Sequence, residues 1–194
     1  MSLFHVPDLK SATIKPLCIE QQQSVIDETH AYIEQATTLF NIDKTALKIS
    51  FNLKGRTAGM YRVKRKFFQQ TREIRYNPYI FSKFFDDNFK TTIPHEVAHY
   101  ISDLLYGLRN IKPHGNEWKD IMQALGANAA VTANYDLTGI PQRNKTLYAY
   151  QCSCREHQIG ATRHNRINKQ RGQYICNFCK QTLTFKEIVI NAAT

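Results

Sequence analysis

Two histidines and a glutamate stand at a spacing that suits a metal site, in a segment that ends at Gly107. They follow the order His95-Glu96-x-x-His99. Residues four apart lie on one face of a helix, so His95 and His99 can bind one metal ion together. Glu96 lies about 100° further round the helix and borders the metal without binding it. Two imidazoles that bind zinc, beside a carboxylate that takes a proton from zinc-bound water, are parts of a metallohydrolase.

A third ligand is needed, because a catalytic zinc ion usually has three protein ligands and one open position for water. We favour His114, which follows in a loop with Pro113 and Gly115, where the chain can double back. Glu117 is an alternative, as in zinc proteases that use a carboxylate. Asp103 lies further along the same helix and is better suited to a hydrogen bond with a ligand imidazole.

Four of the cysteines form a second candidate metal site, as two pairs, Cys152 with Cys154 and Cys176 with Cys179. The spacing of the second pair is typical of a zinc knuckle, and four thiolates give a closed structural site. The first pair is tighter, and in a regular strand its side chains would point to opposite faces. Either a local turn brings them together or His157 replaces one thiol. A segment of about 45 residues has a small core, so metal would contribute much of its folding energy.

Positive charge is the third feature, since the 194 residues carry a formal net charge of +10. One basic cluster alternates in a predicted strand and shares a face: Arg62, Lys64 and Lys66. Another lies between the cysteine pairs, joined by His164 and flanked by Tyr148, Tyr150 and Tyr174: Arg155, Arg163, Arg166, Lys169 and Arg171. Basic side chains neutralise phosphates and aromatic rings stack on bases, which predicts DNA as a partner. The sequence shows no base-reading motif, so we expect binding through the backbone.

The periodicity of apolar residues predicts the elements that position these groups. Residues 19–40 repeat apolar side chains at helical spacing, whereas residues 47–53, 60–67 and 72–77 alternate as strands do. The segment 77–79, Asn-Pro-Tyr, is expected to be a turn after the last strand.

Two further helices are predicted. The first carries the histidines and is capped by Thr91 or Thr92, with Pro94 in its first turn and Gly107 at its end. The second covers residues 117–125.

The predicted fold class is α+β, in two domains. Residues 1–145 form a zincin-like metallopeptidase domain with an N-terminal helix, a small sheet and the His-Glu-x-x-His helix, and residues 146–194 form a small β-rich zinc ribbon. No apolar run reaches signal-peptide or membrane-spanning length, which predicts an intracellular protein with no membrane partner. The clustered cysteines favour metal binding in a reducing compartment over disulfides. We therefore expect a cytoplasmic location, either free or associated with the nucleoid.

The segment His95–Tyr100, followed by His114–Lys119, resembles the SprT family, whose eukaryotic relative Spartan degrades proteins covalently trapped on DNA. The resemblance extends to the strand-rich stretch before the helix and to the C-terminal cysteines. It implies that His95, His99 and His114 are ligands of a catalytic zinc ion and that Glu96 is the general base. It also implies that Trp118 packs under the His114 loop and that the cysteines bind a structural zinc ion.

Together these features predict a zinc metallopeptidase that binds DNA, single-stranded or at a junction, and cleaves proteins bound or crosslinked to it. Glu96 would activate a zinc-bound water. An alternative is a non-catalytic nucleic-acid-binding or transcription-associated protein with two structural zinc ions, in which Glu96 is incidental. A metallohydrolase of another substrate class is a third interpretation. An open coordination position at the helix site would favour catalysis.

Overall fold

A computed structural model of the chain describes residues 14–67, 69–129, 134–142 and 146–190. The chain divides into two compact units, the first ending at Pro141 and the second starting at Gln142. The predicted domain boundary near residue 145 lies outside the described residues. Both units mix helices with short strands, so the fold class is α+β. Among the described residues, no helix has the length and apolar character needed to cross a membrane.

The first unit contains a long helix and a three-stranded sheet. Helix α1 (Ile19–Phe40) lies where the helical periodicity predicts it. The strands are β1 (Leu47–Ser50), β2 (Gly59–Lys66) and β3 (Gln69–Tyr76). Strand β3 is central, with β1 parallel and β2 antiparallel to it. Strand β2 is therefore an edge strand of this sheet, with one side available to another element.

Asn77 and Pro78 start a helix, so the interpretation of this segment as a simple turn is wrong. The Asn77 side chain accepts backbone N–H bonds from Tyr79 and Ile80, at 3.1 and 3.3 Å. Pro78 occupies the first position of helix α2 (Pro78–Lys83). Asparagine as a cap followed by proline is a favoured helix start, because the missing N–H of proline has no helical partner there.

The helix that carries the histidines, α3 (Phe85–Tyr106), begins well before the predicted cap at Thr91. Pro94 was expected in the first turn of this helix, but it lies inside the helix. A proline at this position removes one backbone hydrogen bond. Pro94 and Val97 are buried in the core, and this packing offsets the loss. Gly107 ends the helix with a φ of 76°, as predicted.

Helix α4 (Asn116–Ala124) follows the loop that contains His114. Helices α1 and α4 both pack against α3, and α3 in turn packs on strands β2 and β3. The core between them is apolar and aromatic, and includes Val25, Ile33, Ile74, Tyr76, Val97, Ile101, Trp118 and Ile121. Helix α3 is thus fixed on several sides, which holds its histidine face in one orientation.

The second unit is a small sheet with one short helix. Its strands are β4 (Thr146–Gln151), β5 (Glu156–Gly160) and β6 (Thr184–Ile190), in the order β5-β4-β6 and all antiparallel. Helix α5 (Ala161–Asn168) follows β5 directly. The hydrophobic core of the second unit is a cluster of buried residues, namely Tyr150, Ile159, Cys176 and Leu183. A core of this size gives little hydrophobic stabilisation.

Candidate metal centres

Three imidazole rings meet at one point of the first unit. The Nε2 atoms of His95, His99 and His114 form a triangle whose sides are all 3.1 Å. Two nitrogens each about 2.0–2.1 Å from a tetrahedral zinc ion lie about 3.3 Å apart, close to this spacing. The three nitrogens form a group able to bind a metal ion, and the donor set is compatible with zinc.

The first two of these rings are held in the form that binds metal. Burial lowers the pKa of His95 to about 4, and the nearby His114 ring adds to the shift. Burial lowers the pKa of His99 to about 3, and both neighbouring imidazoles lower it further. Neutral imidazoles have a free ring nitrogen, whereas imidazolium has none. Both rings are therefore neutral at neutral pH, and each keeps one ring nitrogen free to bind a metal ion.

His114 reaches the triangle through a left-handed backbone conformation, with a φ of 60°. Such a φ is uncommon outside glycine and is most often tolerated where the surroundings require it. Gly115 follows, and its N–H donates to the Lys112 carbonyl at 2.9 Å, which closes the loop before α4. Glu117, the alternative third ligand, is not in the group. Its Oε2 lies instead within 2.9 Å of where a Cβ on Gly115 would be.

The Trp118 ring lies against all three imidazoles. Its centroid is 4.8 Å from that of His95, 5.6 Å from that of His99 and 4.7 Å from that of His114. Its Nε1 donates to the His95 carbonyl oxygen at 3.4 Å. This buried ring supports the His114 loop, as the family resemblance implies.

Glu96, which follows His95 on α3, is buried and accepts one backbone hydrogen bond from the sheet. The Tyr61 N–H, on the edge strand β2, donates to its Oε2 at 2.6 Å. Burial raises the pKa of Glu96 to about 8, although this hydrogen bond opposes the shift. A carboxylate with a raised pKa is a stronger base than an exposed one, which suits proton transfer near neutral pH.

Asp103 does not serve the imidazoles, so the expectation of a hydrogen bond to a ligand histidine is wrong. Its Oδ2 accepts from the Tyr61 hydroxyl at 2.8 Å and from Arg72 Nε at 2.7 Å. Burial raises the pKa of the Tyr61 hydroxyl, and the bond to Asp103 adds to the rise. This group joins α3 to strands β2 and β3, and it fixes the residue whose N–H binds Glu96.

The sulfur atoms of the four cysteines lie within 4.8 Å of one another. Cys152 Sγ is 3.4 Å from Cys154 Sγ, which is 3.6 Å from Cys176 Sγ. A turn makes this possible at the tight first pair, because the Cys152 N–H donates to the Arg155 carbonyl at 3.1 Å, after β4 has ended. Cys176 and Cys179 lie in a similar turn, closed by Lys180 N–H to Cys176 O at 3.0 Å. The cluster is compatible with a zinc ribbon.

His157 stands beside this cluster. Its Nε2 is 3.3 Å from Cys152 Sγ, while all four cysteines can supply the ligands without it. Backbone N–H groups stabilise two of the thiolates: those of Cys179 and Phe178 lower the pKa of Cys176. That of Gln181 lowers the pKa of Cys179 to about 6. Thiolates are the form that binds metal, so the backbone favours binding.

The first basic cluster lies on the face of the sheet opposite α3. Arg62 pairs with Glu73 through Nε and Nη2, at 2.9 and 2.7 Å, so its charge is largely satisfied within the sheet. Lys64 and Lys66 follow on the same face and are exposed. Of the basic residues predicted on this strand to bind DNA, these two lysines are the ones exposed to solvent.

The second basic cluster is only partly open. His164, expected among its basic groups, is buried, with its ring stacked on Tyr148 at 3.6 Å. Arg166 Nε donates to the Arg171 carbonyl at 2.9 Å and so closes the end of α5. Arg163, Lys169 and Arg171 are exposed, as is Arg155, whose guanidinium lies 3.6 Å from the Phe178 ring centroid.

Two residues of the site escaped sequence reasoning. Gly59 faces Glu96, and Tyr61 supplies its hydrogen bond. An isolated glycine in a strand pattern indicates close approach by another group, and Gly59 stands at the start of such a pattern. The sequence could therefore have indicated this contact. The backbone N–H of Tyr61 had no signal, because every residue except proline carries one.

Comparison with known proteins gives consistent matches. A sequence model described as the SprT-like family matches residues 29–146, which include the three histidines. The chain is 33% identical over 144 residues to Protein SprT of Vibrio parahaemolyticus, covering 74% of this chain and 81% of that protein. It is 32% identical over 155 residues to Protein SprT of Glaesserella parasuis, covering 79% and 92%. It is 30% identical over 171 residues to Protein SprT of Escherichia fergusonii, covering 88% of this chain and 97% of that protein. No solved structure gives a match.

Proposed function

The chain belongs to the SprT-like family, and from that membership we propose that it is a zinc-dependent peptidase with a zincin-like domain and a zinc ribbon. The observation that carries the proposal is the triangle of His95, His99 and His114 beside the buried Glu96. Three nitrogen ligands with a neighbouring base are the parts of a zinc hydrolase, whereas a structural zinc site has four protein ligands and needs no base.

In this proposal each group has a distinct task. Zinc, when bound by the three histidines, supplies a Lewis acid that polarises a carbonyl and acidifies water. Glu96 accepts a proton from the attacking water and returns it to the leaving amine nitrogen. The Tyr61 N–H holds the Glu96 carboxylate in one orientation. Asp103 and Arg72 act on Tyr61 rather than on the substrate.

The second part of the proposal is that the protein binds DNA and cleaves proteins bound or crosslinked to it. Its support is the net charge of +10 and the exposed basic residues on both units. DNA that carries a protein and also binds this chain raises the local concentration of substrate near Glu96. Phosphate contacts predict strong salt dependence: for six contacts on single-stranded DNA, log K would fall with log salt at a slope of about −4.

The test compares wild type with Glu96→Gln on a DNA-binding protein as substrate, with and without single-stranded DNA. We expect cleavage by wild type only, faster with DNA, and a loss of about 10²–10⁴-fold in the variant with its zinc content unchanged. Wild-type cleavage by a zinc-loaded Glu96→Gln would refute the role of this carboxylate. No cleavage under any condition, with zinc at both sites, would favour the non-catalytic nucleic-acid-binding protein.

Glu117→Gln is the matched control. Glu117 lies on the next helix, close to His114 in sequence but outside the histidine group. The same change of charge there should leave zinc content and cleavage near wild-type values. A loss of zinc in Glu117→Gln would instead show that this carboxylate takes part in the metal site.

A further inference from the structure

The hairpin that joins β2 to β3 ends in an exposed aromatic ring. Phe67 directly follows the last residue of β2, and β3 begins at Gln69. Its relative exposure is 91%, against 80% for Ile19, the next most exposed of the large apolar side chains that the structure describes. A single exposed apolar residue is common at protein surfaces, so exposure alone carries no conclusion.

The backbone at Phe67 adds a second observation. Its φ is 51°, in the left-handed region. Two-residue hairpin turns often need this conformation and usually supply it with asparagine, aspartate or glycine. A bulky aromatic residue is strained there, and it gains no burial in return. Such local costs, which a simple substitution would remove, concentrate at functional positions.

The charge around the ring is the third observation. Lys64, Arg65 and Lys66 lead to the tip and are all exposed. They pair across the ladder with the neutral residues Thr71, Gln70 and Gln69. Side chains alternate along a strand, so the lysines lie on one face of the hairpin and Arg65 on the other. The next acid along the ladder, Glu73, is already paired with Arg62.

We propose that this tip is a nucleic-acid contact in which Phe67 stacks on an unpaired base of single-stranded DNA. Lys64, Arg65 and Lys66 bind the phosphates on either side. Single-stranded nucleic acid combines regular phosphates with exposed base faces, and its known binding surfaces join cations with aromatic rings. An intact duplex keeps its base faces stacked inside, so it offers the phosphates but no partner for the ring.

The position of the tip connects it with the candidate active site, and this inference rests on the proposed binding of DNA. Tyr61, whose N–H binds Glu96, lies on the same strand as Lys64 and Lys66. Strands rise about 3.3 Å per residue, so the tip lies on the order of 20 Å from Tyr61. DNA held there would present an attached protein within reach of Glu96.

The experiment measures binding of a short single-stranded DNA that contains 2-aminopurine, whose fluorescence is quenched by stacking. Phe67→Ala should weaken binding by about 5- to 150-fold, the effect of losing one stacked base, and abolish the quenching. In Phe67→Ala, the affinity for blunt duplex DNA and the slope of log K against log salt should stay as in wild type. Phe67→Trp should retain both signals. Leu39→Ala, which removes an apolar side chain that is 55% exposed on α1, is the matched control and should behave as wild type.

A second variant separates function from folding. Phe67→Gly should raise the melting temperature, because glycine adopts the left-handed conformation without strain, and should still lose affinity for single-stranded DNA. Equal affinity and equal quenching in wild type and Phe67→Ala would overturn the inference while the proposed DNA binding stands. A wild type that binds no DNA at all would remove the proposed DNA binding itself. If Phe67→Ala bound single-stranded DNA as wild type does but lost binding to vesicles of anionic lipid, the tip would be assigned to membranes instead.

Discussion

Gly59 lies so close to Glu96 that no larger residue fits. A Cβ built on Gly59 would be 2.7 Å from both Cγ and Oε1 of Glu96, and 2.7 Å from Cγ2 of Thr92. Real carbon contacts do not reach this distance, so one of the elements would have to move. The start of β2 therefore sets the position of the carboxylate from one side, while the Tyr61 N–H orients it from another.

Gly59→Ala should therefore displace Glu96 from its place beside the histidines. We expect a loss of about 1–3 kcal/mol in the free energy of unfolding from overpacking, and a larger proportional loss of peptidase activity. Urea denaturation and a cleavage assay measure the two effects. Gly160→Ala is the control, since nothing lies within 4 Å of a Cβ there. Similar losses in both variants would argue against the role of this contact.

Asp103→Ala should destabilise the first unit strongly. It leaves Arg72, whose side chain is only 17% exposed, without its carboxylate, and it removes the acceptor of the Tyr61 hydroxyl. Breaking a buried ion pair by removing one partner costs about 3–5 kcal/mol. Tyr61→Phe removes one hydrogen bond and should cost about 1 kcal/mol. Chemical denaturation of both single variants and the double variant would show coupling; strictly additive losses would contradict a shared network.

Glu73 should contribute to acid sensitivity. Burial acts to raise its pKa, but hydrogen bonds from Arg62 and Ser50 outweigh this and lower the pKa below its ordinary value. A carboxyl with a lowered folded pKa stabilises the protein above its unfolded pKa, and this contribution is lost as pH falls through the folded value. Glu73→Gln should therefore flatten the decline in stability below about pH 4.5. Asp43→Asn, at an exposed acid, should leave the decline unchanged.

Cys176→Ser should remove one zinc ion per chain and unfold the second unit while the histidine site stays loaded. The small core of that unit leaves metal as a main source of its stability. Metal analysis by mass spectrometry and the melting of the second unit are the measurements. His114→Ala is the counterpart, which should lose zinc from the first unit alone. Equal zinc content in Cys176→Ser and wild type would refute the cysteine assignment.

The sequence predicted what depends on local spacing. Residues four apart on a helix must share a face, so the pairing of His95 with His99 followed from the sequence alone. The helical spacing of apolar residues likewise predicted helix α1. The start of α3 could not be predicted in the same way. Proline locally prefers the first turn of a helix, but packing of the residues around Pro94 overrides this preference.

Contacts between distant elements were beyond the same reasoning. Asp103 lies on the expected helix, but its partner Arg72 comes from a strand far away in sequence. The choice between this guanidinium and an imidazole depends on how β3 packs on α3. His164 shows the same limit: in sequence it stands among basic residues, yet the fold buries it against Tyr148.

The position of Trp118 gives this protein its own optical probe. It is the single tryptophan of the chain, and its ring touches all three imidazoles. Indole fluorescence excited near the red edge of protein absorption therefore comes from one place only. Adding a paramagnetic ion such as Co²⁺ or Cu²⁺ to metal-free protein should quench that emission as the histidines fill. Occupancy of this site can thus be followed in real time without a label.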